Sequence, residues 1–202
     1  MMLLVLPLAG LLAALLLGGS LARLAALHVR GKGYILAAFA MQLLATTTRA
    51  GDSGLLVRFG PALYLTTLGL ALVGVGMNWG LGWGLRAVGV GLALNATVIA
   101  ANGGHMPVDV AAMQRVAGAA RVRALANGHA YSNTRPASAS SRLLALSDVI
   151  PEPFPSGHGN VYSAGDVVLA TGAAATVYGA TRRARRPAGT RSTPVGRAAV
   201  RR

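Results

Sequence analysis

Leu146-Ser-Asp-Val-Ile-Pro-Glu-Pro-Phe-Pro-Ser-Gly-His-Gly-Asn-Val-Tyr-Ser-Ala-Gly-Asp-Val-Val-Leu-Ala-Thr-Gly172 is the stretch around which the chain is organised. It holds three of the five acidic residues, Asp148, Glu152 and Asp166. Pro151, Pro153, Pro155, Gly157 and Gly159 are turn formers, and they allow the chain to reverse. Ser163-Ala-Gly-Asp166 has the spacing of a helix N-cap followed by an acid in the first turn. The apolar run behind it is long enough to enter a bilayer, so a polar loop and a membrane helix join at one point. The stretch reads as a polar site hung at a membrane surface.

Outward from it, composition points the same way. Hydrophobic residues make up 53% and charged residues 12%, where a soluble domain carries about a quarter charged residues. With no cysteine, disulfides, thiolate metal sites and thiol nucleophiles are excluded, leaving oxygen and imidazole groups for any chemistry. The net charge of +14 comes from arginines crowded at membrane-adjacent and terminal positions. That distribution is read as topology and not as a nucleic-acid partner. Eighteen arginines to one lysine, with abundant Ala and Gly, suits a GC-rich bacterial source.

The expected fold class is all-α: an integral membrane bundle of about five transmembrane helices, one extracytoplasmic amphipathic helix and a disordered basic C-terminal tail. Spans are predicted over about 2–20, 34–48, 61–77, 83–101 and 161–181. The first is read as a retained span and not a signal peptide, because no basic residue precedes it. The third opens on Pro61, a favoured first helical position. Glycines recurring from Gly74 to Gly91 suit close helix packing in lipid rather than a phosphate loop. Residues 102–160 form an extracytoplasmic insert. Within it Pro107 and Asp109 suit a helix start, and Val110, Met113, Val116 and Ala120 or Leu125 give an apolar stripe opposite Gln114, Arg115, Arg121 and Arg123. The Arg-rich segment 182–202 is predicted to be disordered and cytoplasmic.

With the tail inside, twelve bases face the cytoplasm, while seven bases and all five acids face out. This satisfies the positive-inside rule for a multi-pass protein of the bacterial cell membrane with its N-terminus outside.

Candidate site residues gather at the outer rim. Asp148 and Asp166 are the candidate catalytic pair, because two carboxylates at one site can share a proton and divide into acid and base. Asn102, His105, Arg142, Asn160 and Ser163 are candidate binding groups. Each has a structural reading beside the functional one. Asn102-Gly-Gly-His-Met-Pro107 ends a helix, Ser163 and Asp166 cap one, and Asp148 can pair with Arg142. His129 and His158 have no ligand spacing, so no metal and no cofactor are predicted. His28 is read as an interfacial side chain. No Gly-x-Ser-x-Gly surrounds Ser163, which leaves serine hydrolase chemistry unsupported.

Ordered motifs spread over most of residues 1–181 resemble an uncharacterised family of small bacterial multi-pass membrane proteins, a domain of unknown function. They are Leu27-His-Val-Arg-Gly31, Asn102-Gly-Gly-His-Met-Pro107, Arg142-Leu-x-x-Leu-x-Asp148-Val-Ile-Pro151 and Asn160-Val-Tyr-Ser-Ala-Gly-Asp166. That resemblance implies an integral membrane protein and supplies no activity. About 25 residues, from Asp148-Val-Ile to Ala164-Gly-Asp166 and the apolar run after it, are also similar to the two aspartate motifs of signal peptidase II. Ser163 stands where that family has Asn, its Gly-Asn-x-x-Asp-Arg element has no counterpart, and the insert from Val108 to Asn127 is foreign to it. Two functions follow. The first is a non-enzymatic membrane component that binds a lipid or partner through its outer rim; the alternative is an aspartyl hydrolase acting through Asp148 and Asp166. Membrane lipids are the expected partners in both.

Overall fold

A run of Leu, Ala, Val and Gly offers its backbone no side-chain partners, and the helix is the local structure that pairs every N–H and C=O within the segment. The computed structural model describes residues 2–47, 54–126, 133–152 and 159–182, which are mostly helical. The α-helices among them are α1 (Met2–Leu16), α2 (Leu21–Ala25), α3 (Lys32–Thr47), α4 (Gly54–Gly76), α5 (Trp83–Ala101), α6 (Val110–Ala126) and α7 (Ala164–Arg182). Two stretches, Phe59–Gly76 and Trp83–Ala101, are long and apolar enough to cross a membrane, and Leu4–Leu16 is a shorter apolar helix. The tail beyond Arg182 lies outside the described residues.

Several boundaries differ from the sequence reading. α4 starts at Gly54 and carries Pro61 inside it, not at its first turn. Leu55, Leu56, Val57 and Phe59 extend the apolar side chains ahead of Pro61, with Arg58 among them, and a helix that runs through one proline still pairs more backbone groups than a turn that frays. The first run ends as a helix at Leu16; Gly18 turns at φ +84°, and the Ser20 amide donates to the Thr181 carbonyl at the end of α7 (3.0 Å). Val161 and Tyr162 form a strand, so α7 begins only at Ala164.

Glycine faces set how the helices pack. Gly84 lies against Gly172 and Thr176, and Gly91 against Gly165 and Leu169, so α5 and α7 run antiparallel. A Cβ on Gly84 would sit 2.6 Å from the Thr176 amide nitrogen, and one on Gly91 would sit 2.5 Å from the Gly165 carbonyl oxygen. No side chain fits there, which is the small-residue packing expected of helices that approach backbone to backbone. α1 lies parallel to α7, with Gly10 on Ala174 and Gly19 beside Thr181, and Gly74 of α4 meets Ile35 near the start of α3.

The insert is not all helix and loop. β1 (Met106–Val108) pairs in parallel with β2 (Thr134–Pro136), and β3 (Ile150–Pro151) pairs antiparallel with β4 (Val161–Tyr162). Strands of two or three residues are too short to show an alternating pattern. Asp109 begins α6 as predicted, its Oδ1 accepting from the Ala111 amide (2.8 Å). Pro107, by contrast, belongs to β1. Ala112, Met113, Val116, Ala117 and Leu125 are buried with Val108 and Val161 as a small core of the insert. Val110 is half-buried and Ala120 exposed. The stripe shifts because Gly118, at φ +79°, interrupts the helix and resets its phase.

Candidate functional site

Ser163 precedes the first turn of α7, and its hydroxyl accepts from the Asp166 amide (2.9 Å). Asp166 Oδ2 in turn accepts from the Ser163 amide (3.2 Å). This is the reciprocal capping box that satisfies two of the donors a helix start leaves unpaired. α5 closes the arrangement. Asn95 Nδ2 donates to Asp166 Oδ1 (2.8 Å), and the Ser163 hydroxyl donates to Asn95 Oδ1 (2.8 Å). Ser163 and Asn95 are both buried. Gly165 is what admits the amide, since a Cβ there would collide with Asn95 Oδ1.

Asp148 arrives from the other side on its own backbone ladder. Its amide donates to the Pro107 carbonyl (3.0 Å), and its carbonyl accepts from the Asp109 amide (2.9 Å), so the chain beside β1 fixes its position. Among the described residues its carboxyl has no hydrogen-bond partner, Asp166 and Arg142 included. Burial pushes the Asp148 carboxyl up to about 8, with the charge of Asp166 adding to the rise. Tyr64 of α4 stands in the field of both carboxylates and is hydrogen-bonded to Asn133. Asp148 and Asp166 are therefore close enough to feel one another without direct contact.

The remaining sequence candidates divide. Asn102 is committed to structure: its amide donates to the Val98 and Arg142 carbonyls (2.8 and 2.9 Å) and accepts from the Arg142 amide (2.8 Å), clamping the returning loop to the end of α5. Gly103 and Gly104 adopt positive φ and end that helix, as the sequence predicts. The Arg142 side chain is exposed. The Asn160 carbonyl accepts from the Glu152 amide (2.9 Å), and the Asn160 amide donates to Glu152 Oε2 (3.0 Å). His105 lines an open cleft with Arg135, and burial followed by the nearby Arg135 holds its pKa below the ordinary imidazole value. His129 and His158 lie outside the described residues. Among the described residues no three His, Asp or Glu side chains gather as a metal site requires.

Two residues of the site escape the sequence reading. Asn95 sits inside a helix long and apolar enough to cross a membrane, where a polar side chain is itself a signal that it faces protein. Tyr64 gives no such signal, because a tyrosine in an apolar helix is ordinary.

A family model described as "Family of unknown function (DUF5317)" matches residues 26–178. No curated protein and no solved structure matches the chain.

Proposed function

The chain belongs to that family, and on this premise we propose that it is a multi-pass membrane protein whose outer end carries an aspartyl pair, Asp148 and Asp166, able to hydrolyse a substrate delivered at the membrane surface. The observation that carries the reading is the contrast between the two acids. Asp148 has no hydrogen-bond partner for its carboxyl among the described residues and holds its proton up to about pH 8, whereas Asp166 accepts two N–H hydrogen bonds that fix its position. Two carboxyls made unequal by their surroundings are the usual form of an acid–base pair.

In the proposed reaction Asp166, as carboxylate, takes a proton from a water lying between the two acids. The oxygen of that water bonds to the substrate carbonyl carbon as Asp148 protonates the carbonyl oxygen. Collapse of the tetrahedral species breaks the bond to the leaving group, which receives the proton held by Asp166, while the hydroxyl proton returns to Asp148.

Five helices, α1, α3, α4, α5 and α7, serve as the proposed spans. The antiparallel α5 and α7, the parallel α1 and α7, and the antiparallel α3 and α4 support an alternating path through the bilayer. So do the large apolar side chains on their outer faces, with Leu4 73%, Leu16 78% and Phe39 67% exposed, since water-soluble monomers rarely show such continuous apolar surface. The non-enzymatic reading is favoured by one observation: both oxygens of Asp166 are already committed to structure, Oδ1 to Asn95 of α5 and Oδ2 to the Ser163 amide in the cap of α7.

Protein reconstituted in liposomes, presented with a library of membrane-anchored peptides and esters and followed by mass spectrometry, tests the choice. Turnover abolished by both Asp148→Asn and Asp166→Asn is the expected result. Turnover that survives Asp148→Asn, or no turnover by the parent protein, leaves the binding component standing.

A further inference from the structure

At the same end of the molecule, but built from other residues, an open cleft of about 300 Å³ lies between the end of α5 and the loop after β2. Its size falls at the lower end of small-ligand sites. His105, Arg135, Ser138, Ser140 and Ser141 are among its lining residues, and none of the lining residues is acidic. His105 Nδ1 is enclosed and has no hydrogen-bond partner among the described residues, whereas a buried ring nitrogen ordinarily has one. Arg135 is exposed, lines the cleft, and has no carboxylate paired with it among the described residues. The hydroxyl of Ser138 is within hydrogen-bond reach of those of Ser140 and Ser141 (2.9 and 3.3 Å), which presents clustered hydroxyl donors on one wall.

We infer that this cleft binds the phosphate group of an anionic ligand, with Arg135 as its charge partner and His105 and the serine hydroxyls as further hydrogen-bond donors. A guanidinium fork matches phosphate oxygens in pairs, and hydroxyls complete the tetrahedron without adding charge. The neutral imidazole keeps one N–H to donate. A phospholipid headgroup and a free phosphate ester present the same chemistry to these residues, and the cleft's place at the proposed membrane edge makes either source accessible. The inference does not involve Asp148 or Asp166, so it stands or falls apart from the proposed hydrolysis.

The test places isotope-labelled full-length protein in phosphatidylcholine nanodiscs and follows the His105 ring resonances by NMR. One arm titrates inorganic phosphate, and the other replaces part of the lipid with phosphatidylglycerol. Saturable movement of the His105 signals in the phosphate arm assigns a free anion, and movement only in the phosphatidylglycerol arm assigns a lipid headgroup; either supports the site. Arg135→Gln should then weaken binding by about tenfold or more, as loss of a charge-assisted pair does. Arg115→Gln, which removes an equal charge from the exposed face of α6, should leave it within about twofold. Unmoved His105 signals in both arms, or equal loss in the two arginine variants, overturn the inference.

Discussion

An aspartate taken out of water without a cation beside it keeps its proton to higher pH, and at Asp148 burial together with the charge of Asp166 raises the carboxyl from 3.8 to about 8. Between those values the folded protein holds a proton that the unfolded chain has released, so stability falls as pH rises through this window, by up to about 1.4 kcal/mol per unit. Thermal unfolding in detergent between about pH 5 and about pH 8 should show that decline. Asp148→Asn should flatten it, and an unchanged slope in the variant would assign the decline elsewhere. The same proton governs chemistry: if Asp148 is the general acid, the rate falls as pH rises through about 8, and Asp166→Asn lowers the Asp148 midpoint by removing the neighbouring charge. Asn95 supplies a second expectation at this scale. Replacing it with Leu strips partners from the buried Ser163 hydroxyl and from Asp166, which should cost about 1–3 kcal/mol in unfolding free energy. The acids were legible in the sequence because acids are rare in so apolar a chain. Asn95, whose amide joins Asp166 to Ser163, is a single polar residue within a long apolar run, and sequence alone does not say which side chain it meets.

Among the elements, helices were readable where a long apolar run forced them, and their glycines were readable as packing positions. What composition does not reveal is which glycine touches what. Gly91 and Gly179 look alike in sequence, yet a Cβ at Gly91 meets the Gly165 carbonyl at 2.5 Å and one at Gly179 meets nothing within 4 Å. Gly91→Ala should therefore push α5 off α7 and destabilise by about 1–3 kcal/mol. Gly179→Ala should be neutral or stabilise by up to about 1 kcal/mol through helix propensity. Chemical denaturation of the two variants in the same detergent gives the comparison, and equal effects would contradict the packing described for α5 and α7. The short ladders of the insert were illegible for a different reason. Their pairing depends on where the chain returns, and Val108 bridging Asp148 joins residues with no local signal in common.

At the scale of the whole molecule, the proposed path through the bilayer rests on α5. Its 19 residues rise about 28 Å at 1.5 Å each, close to the roughly 30 Å of a hydrocarbon core. The two ends of α5 differ in character. Trp79, Trp83 and Arg86 lie at its start, with Arg86 Nε donating to the Trp79 carbonyl (3.3 Å), as interfacial rings and a snorkelling cation do. Asn78 there binds the backbone of Arg30, accepting from its amide and donating to its carbonyl (2.8 Å each), which places another base at the same end. The other end leads through Asn102 to the insert, with Asp109, Asp148 and Glu152. Basic loops stay in the cytoplasm, so the Gly80 end is expected inside and the Ala139 loop outside. Because the parent chain has no cysteine, Gly80→Cys and Ala139→Cys each introduce a single thiol at an exposed position. A membrane-impermeant maleimide added to intact cells should label Ala139→Cys directly and Gly80→Cys only after permeabilisation. Labelling of both from outside would remove α5 as a span, and labelling in the opposite order would invert the orientation and put the aspartyl pair and the cleft on the cytoplasmic face.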